Sequence, residues 1–189
     1  MKVIQLHQEE KQLIKLAVEN NRQAQQQIYA KFSSKMLSVC RQYIKDIHHA
    51  EDVMITGFMK VFTNLKNFEH KGSFEGWIRR IMVYECIDFL RVKKNNFNHQ
   101  DIEDVTISEN ESVYEMENFS VDDIQNMIDN LPDGYKMVFN LYAIEGYKHQ
   151  EIAEMLKISE GTSKSQLSHA RKLLQQQITD LKNKLNGTK

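Results

Sequence analysis

The chain has 189 residues and a formal charge of −1 at pH 7, so it holds one domain or two small ones, and its total charge identifies no partner. Its longest apolar runs are four residues, as at 81–84. Runs this short are too short for a transmembrane helix or a secretory signal, so neither is expected. A single proline, seven glycines and the lack of an alternating strand pattern predict an all-α protein. Cys40 and Cys86 form no motif, and buried thiols in a reducing cytoplasm are expected.

The charge is sorted along the chain. Residues 1–94 carry a net +6, residues 95–123 carry −9 without any Lys or Arg, and residues 124–189 carry +2. Two basic blocks therefore flank an acidic segment.

In the first block, apolar residues recur at helical spacing from about residue 8 to residue 67. Breaks near Asn20-Asn21, Ser33-Ser34 and Asp46–His49 predict about three packed helices. A loop follows, in which Ser73 is a suitable N-cap for a helix over residues 74–93.

This last helix has two distinct sides. Ile78, Met82, Cys86 and Phe89 favour one buried side, while a second side carries Trp77, Arg80, Tyr84 and Arg91. Aromatic rings stack on unpaired bases and arginines track phosphates, so the second side indicates single-stranded or opened DNA. The alternative is that Trp77 anchors the core and Tyr84 packs on a neighbouring helix.

Residues 95–122 are acidic, rich in Asn and Ser, and without repeat, which predicts an exposed, flexible linker. Plain solubility is the other interpretation of such an acidic run. From residue 121 the helical pattern resumes, with a turn at Pro132-Asp133-Gly134 and a helix that ends near Gly146.

Residues 149–172 predict a helix-turn-helix. In its first helix Ile152, Ala153, Met155 and Leu156 form an apolar face, and the break contains Ile158. On the second helix Ser163, Leu167, Ala170 and Leu174 share one side. Lys164, Ser165, Ser168, His169 and Lys172 lie on or near the opposite side, with Arg171 at the boundary. Hydroxyls beside cations suit phosphate and base-edge contacts in the major groove, although a solvated face on a helical hairpin is the alternative.

Three segments together resemble the extracytoplasmic-function sigma factors, the small two-domain members of the main bacterial sigma family. HHAEDVMITGFMKVFTNLKNF resembles the core-polymerase-binding segment, and GSFEGWIRRIMVYECIDFLRVKK resembles the melting and minus-ten segments. The family's minus-35-binding domain is similar to the third segment, LPDGYKMVFNLYAIEGYKHQEIAEMLKISEGTSKSQLSHARKLLQ. The resemblance spans about residues 13–178.

The resemblance implies a domain map and a role for each matched residue. Residues 1–94 would bind core polymerase and open the minus-ten element, residues 95–122 would be the connector that threads the RNA path, and residues 123–189 would bind the minus-35 element. Glu51 and Asp52 match the face that docks on the polymerase, where Phe58 and Phe62 match core aromatics. The minus-ten and melting positions are His70, Lys71, Gly72, Ser73, Trp77, Arg80, Tyr84 and Arg91. The minus-35 positions are Thr162, Lys164, Ser165, Ser168, His169, Arg171 and Lys172.

The implied partners are core RNA polymerase, duplex minus-35 DNA and opened minus-ten DNA, in the cytoplasm. An anti-sigma factor, which proteins of this family often have, is a further implied partner. No cofactor, metal or catalytic residue is implied. Four positions depart from the family's pattern: Ile55-Thr56 replaces Gln-Glu, Lys157 replaces a turn glycine, Ser163 replaces Val, and Gln166 replaces Arg.

Three other classes of protein are alternatives for this sequence. An enzyme or metal protein could use His48, His49, Glu51 and Asp52, but these spacings do not converge on one face of a helix. A stand-alone response-regulator-type transcription factor explains residues 124–189 but neither the aromatic side nor the linker. An all-α adaptor would show no salt-dependent DNA affinity.

Overall fold

The computed structural model describes residues 2–96 and 119–186, with side chains from 9–92 and 119–184. These residues form eight α-helices, one 3-10 turn and one π-helical segment, with no strand among them, which confirms the all-α prediction. The chain divides into a first unit, Met1–Phe89, and a second unit, Leu90–Lys189. Most of the predicted linker, residues 97–118, lies outside the described residues.

Three helices and most of a fourth build the first unit: α1 (Lys2–Val18), α2 (Arg22–Tyr43), α3 (Ile47–Asn64) and α4 (Phe74–Asn96), which continues beyond Phe89, with a 3-10 turn at Leu65–Asn67. Side chains cap three of them: Asn21 accepts from the Ala24 amide at 3.0 Å, Asp46 accepts from the His49 amide at 2.9 Å, and Ser73 accepts from the Gly76 amide at 3.0 Å. The core lies between the helices, and its fully buried members include Ile28, Met36, Cys40, Tyr43, Val61, Ile78, Met82, Val83 and Cys86.

The predicted break at Ser33-Ser34 is wrong, because α2 runs through it without interruption. Phe32 and Met36 are buried on the same face before and after the pair, so packing outweighs the weak helix propensity of serine. The hydroxyl of Ser38 donates to the carbonyl of Ser34 at 3.1 Å, which satisfies it within the helix.

Helices α3 and α4 approach closely at Gly57. A Cβ at this position would collide with the Met82 sulfur, so the absence of a side chain lets the helices meet. Beside this contact, Lys60 of α3 pairs with the largely buried Glu85 of α4 at 2.5 Å. The two contacts fix the rotation of α4 and therefore which of its side chains face outward.

The second unit comprises α5 (Val121–Asp129), α6 (Asp133–Phe139), a π-helical segment (Asn140–Ile144), α7 (His149–Leu156) and α8 (Glu160–Asn186). A capping box between Ser120 and Asp123 starts α5. The core residues are Met127, Ile128, Leu131, Met137, Val138, Leu141, Ile152, Leu167 and Ala170. This confirms the predicted helix-turn-helix, with α7 and α8 as its two helices.

Within the described ranges, no helix is long and apolar enough to cross a membrane. The same residues contain no group of three or more His, Cys, Asp or Glu side chains arranged to hold a metal ion. Cys40 and Cys86 are both buried and unbridged, as predicted.

Candidate nucleic-acid interface

The loop before α4 is shaped by two residues in the left-handed region. His70 has φ of 57° and Gly72 has φ of 91°, and a Cβ at Gly72 would meet no atom within 4 Å. Glycine is therefore favoured there by its backbone conformation and not by crowding. Ser73 ends the loop and caps α4, as predicted, by accepting from the Gly76 amide at 3.0 Å.

The side chains of this loop lie at the surface. His70, Lys71, Gly72 and Ser73 are all exposed, and the Lys71 ammonium lies 2.7 Å from the Glu69 carboxylate. The four residues thus form a solvent-exposed loop directly before the first turn of α4.

Trp77 is interpreted from the sequence either as a ring that stacks on bases or as a core anchor, and its position has features of both. Its ring stacks on Phe74, with centroids 5.9 Å apart and planes at 15°, and contacts Phe68 at 5.4 Å. Phe68 and Phe74 are buried, whereas Trp77 is half-buried. The indole is therefore held in a fixed orientation by core aromatics while part of it remains accessible.

The rest of this side of α4 follows the predicted order. Arg80 and Tyr84 are exposed, and the Arg80 guanidinium lies 5.9 Å from the Tyr84 ring centroid. Arg91 lies on the same continuous helix, beyond the end of the first unit. We call the line of Trp77, Arg80 and Tyr84 the aromatic-arginine stripe.

Helix α3 presents a different surface. Asp52 is exposed and Glu51 half-buried, with Glu51 at 3.7 Å from the His48 ring. Ile55 and Met59 follow Asp52 at helical spacing and are 49% and 66% exposed. An acidic residue beside exposed apolar side chains is typical of a protein-binding surface.

The turn of the helix-turn-helix has a defined geometry. Lys157, where the resembled family has glycine, adopts φ of 56° and ends α7 in the left-handed conformation. The hydroxyl of Ser159 then accepts from the Thr162 amide at 2.9 Å and caps α8. The Lys164 ammonium, 2.7 Å from Glu160 in the first turn of α8, lowers the pKa of that carboxyl by its hydrogen bond and its charge.

The outer face of α8 has the predicted composition. Ser163, Leu167 and Ala170 are buried against the unit. The predicted minus-35 positions divide into exposed residues, which are Lys164, Ser165, Ser168 and Arg171, and half-buried residues, which are Thr162, His169 and Lys172. The exposed residues therefore line one side of a rigid helix.

Three aromatic supports of this face were not predicted from the sequence. The His169 ring stacks on Tyr135, with centroids 5.3 Å apart, and is thus partly covered. Tyr142 lies under Arg171 at 5.8 Å and stacks on His149 at 4.6 Å. Local patterns in the sequence could not show these contacts, because each joins residues of two different elements.

Both units match known families. The profile of Sigma-70 region 2 matches residues 28–96, and that of Sigma-70, region 4 matches residues 122–174. Region 2 precedes region 4 along the chain, and the two matches together cover most of both units.

Curated relatives match over most of their length. The ECF RNA polymerase sigma factor SigW of Bacillus subtilis is 28% identical over 79% of this chain and 86% of its own. The ECF RNA polymerase sigma-E factor of Haemophilus influenzae is 23% identical over 89% of this chain and 95% of its own.

The fold is also similar to solved structures. The sigma factor RpoE of Bartonella quintana, in complex with the anti-sigma factor NepR, aligns with a TM-score of 0.53 at 19% identity, over 82% of this chain and 96% of RpoE. CnrH, in complex with the cytosolic domain of CnrY, aligns with a TM-score of 0.50 at 20% identity, over 89% of this chain and 96% of CnrH. The chain belongs to the sigma-70 family, as a small extracytoplasmic-function sigma factor.

Proposed function

We infer that this sigma factor directs transcription initiation by dividing the work between its two units, with the polymerase supplying the chemistry. The observation that carries this is the joint presence, in one chain, of an aromatic-arginine stripe and a hydroxyl-and-cation recognition helix. The first suits opened DNA and the second suits duplex DNA. A promoter that is being opened presents single-stranded DNA and duplex DNA at the same time.

The first unit takes the opened minus-ten element. Because Trp77 is held by Phe74 and Phe68, its accessible part can stack on an unpaired base with little loss of rotamer freedom. Arg80 lies about one turn further along α4, where its guanidinium contacts a phosphate of the same strand. The loop directly before this helix holds an extruded base, and its residues are His70, Lys71, Gly72 and Ser73. Arg91, further along α4, contacts the backbone of the opened strand.

The second unit takes the duplex minus-35 element. Lys164 and Arg171 are exposed on α8 and contact phosphates, while Ser165 and Ser168 lie between them, where hydroxyls reach base edges or backbone. The half-buried Thr162, His169 and Lys172 border this contact. Tyr142 beneath Arg171 restricts the guanidinium before binding, which reduces the entropic cost of the contact.

Helix α3 docks on core polymerase. Asp52 and Glu51 supply charge, and the exposed Ile55 and Met59 supply apolar area. The Gln-Glu pair of the resembled family is replaced here by Ile55-Thr56, so this docking surface is more apolar than that pattern implies.

For the division of labour we propose the domain map that the sequence predicts, with residues 1–94 for polymerase and minus-ten binding and 123–189 for minus-35 binding. Between them, the acidic residues 95–122 imitate the charge of nucleic acid inside a positive channel. The chain is a non-catalytic initiation subunit that acts in the cytoplasm. An anti-sigma factor is a further proposed partner, since the similar RpoE was solved in complex with the anti-sigma factor NepR.

Docking through α3 is tested by charge reversal. Asp52→Lys should weaken binding to purified core polymerase about tenfold or more, because it places a cation in an interface that selects an anion. Glu9→Lys makes the same change of charge at an exposed site on α1 and is the matched control. Equal affinities for both variants, measured by fluorescence anisotropy of the labelled full chain, would contradict the assignment.

A further inference from the structure

A groove of about 630 Å³ lies in the first unit, between α1 and the chain that leads into the loop before α4. Its floor is apolar, formed by the buried side chains of Ile14, Leu65 and Phe68, and Val18, 41% exposed, lies beside them. The volume falls within the roughly 300–1,000 Å³ of small-ligand pockets. A flat ring of nucleobase size fits such a groove, whereas a duplex does not.

The rim of the groove is cationic. Lys11 and Lys15 of α1 and Lys66 of the 3-10 turn line it together with His70, and Glu19 is the acidic residue among them. Among the residues that the structure describes, these three ammonium groups have no carboxylate within ion-pair distance. In contrast, Lys31 is paired with Glu10 and Lys35 with Glu75. The groove lysines are therefore available for an anion.

The groove adjoins the elements assigned to opened DNA. His70 lines the groove and belongs to the loop, and its ring lies 4.7 Å from that of Phe68. Phe68 lines the groove and also contacts Trp77. An apolar floor, a cationic rim and continuity with the loop define the chemistry of an unpaired nucleotide, with its base on the floor and its phosphates at the rim.

We propose that this groove is a second single-strand site, which holds the nucleotide that follows the one bound at loop residues 70–73. Lys11 and Lys15 contact its flanking phosphates, so α1 becomes part of the DNA path. The proposal rests on the proposed function, because it requires a strand already opened by the holoenzyme.

The test measures holoenzyme binding to two forked templates as a function of salt. Both have a duplex upstream region; in the long fork one strand continues past the base that loop residues 70–73 hold, and in the short fork it ends at that base. On the long fork, Lys15→Gln should reduce the slope of log K against log salt by about 0.7, which is about fivefold in affinity at 0.1 M salt. Lys11→Gln should act in the same way.

Gln12→Glu is the matched control, since it also changes the net charge by −1 on an exposed position of α1 but lines a different groove. It should bind the long fork like wild type, and Lys15→Gln should bind the short fork like wild type. Wild-type slopes for both lysine variants on the long fork would overturn the proposal. So would equal losses on the two forks, or a loss for Gln12→Glu as large as that for Lys15→Gln. If wild-type chain and core bind neither fork, the proposed function itself fails.

Discussion

Replacing Trp77 with alanine removes the ring on which the opening of DNA is proposed to depend. The change has two effects that must be separated. It removes an accessible stacking surface for a base, and it removes the packing of the indole on Phe68 and Phe74.

The structure allows both effects to be estimated. Stacking on one base contributes about 1–3 kcal/mol, so Trp77→Ala should reduce open-complex formation about 5- to 150-fold. Two aromatic pairs at about 0.5–1.5 kcal/mol each imply a stability loss of about 1–3 kcal/mol beyond the lost burial of the half-exposed ring. Only the first effect should change the reactivity of promoter thymines.

The assay is permanganate footprinting of the full chain with core polymerase on a promoter that it opens. Trp77→Phe keeps a ring and should retain most of the opening. Ile87→Ala, at a buried position on α4, costs about 2–5 kcal/mol and controls for instability. Normal thymine reactivity with Trp77→Ala, or an equal loss with Ile87→Ala at a temperature where both variants are folded, would refute the stacking role.

Three further predictions concern the second unit and the start of α3. Lys164→Ala and Arg171→Ala should each flatten the salt dependence of promoter binding by about 0.9; an unchanged slope in a filter-binding titration would argue against phosphate contacts. Lys157→Gly should raise stability by up to about 1 kcal/mol, because glycine relieves the cost of φ at 56° but loses more entropy on folding; an unchanged or lower urea midpoint would contradict this. The hydrogen bond from the His49 amide lowers the pKa of Asp46 below its usual 3.8, so its contribution to stability is complete above pH 3.8 and is lost as the pH falls through the lowered value. Asp46→Asn keeps a cap but does not titrate, so its thermal stability should fall less steeply with acid; parallel curves would disprove the linkage.

Much of the fold follows from local signals in the sequence. The N-cap at Ser73 and the buried side of α8 depend on residue type and helical spacing, and the structure contains both. The turn predicted at Pro132-Asp133-Gly134 is shorter than expected, because α6 already begins at Asp133. The break expected at Ser33-Ser34 failed because burial of Phe32 and Met36 is a tertiary effect. Local propensity does not include that effect.

The site could be predicted only in part for the same reason. Spacing on one helix placed Trp77, Arg80 and Tyr84 together, since a continuous helix fixes their relation. It could not show that Phe68 and Phe74 hold the indole, because those contacts join different parts of the chain. The groove is a clearer case, because its lysines come from α1 and the 3-10 turn, about fifty residues apart.

The most direct test of the sigma-factor assignment is transcription in vitro with purified chain and bacterial core RNA polymerase on a library of promoters. The chain should associate with core and yield transcripts that start at a defined subset of templates, whereas core alone should yield none from them. Separate migration of chain and core at low ionic strength, together with no specific transcript from any template, would contradict it.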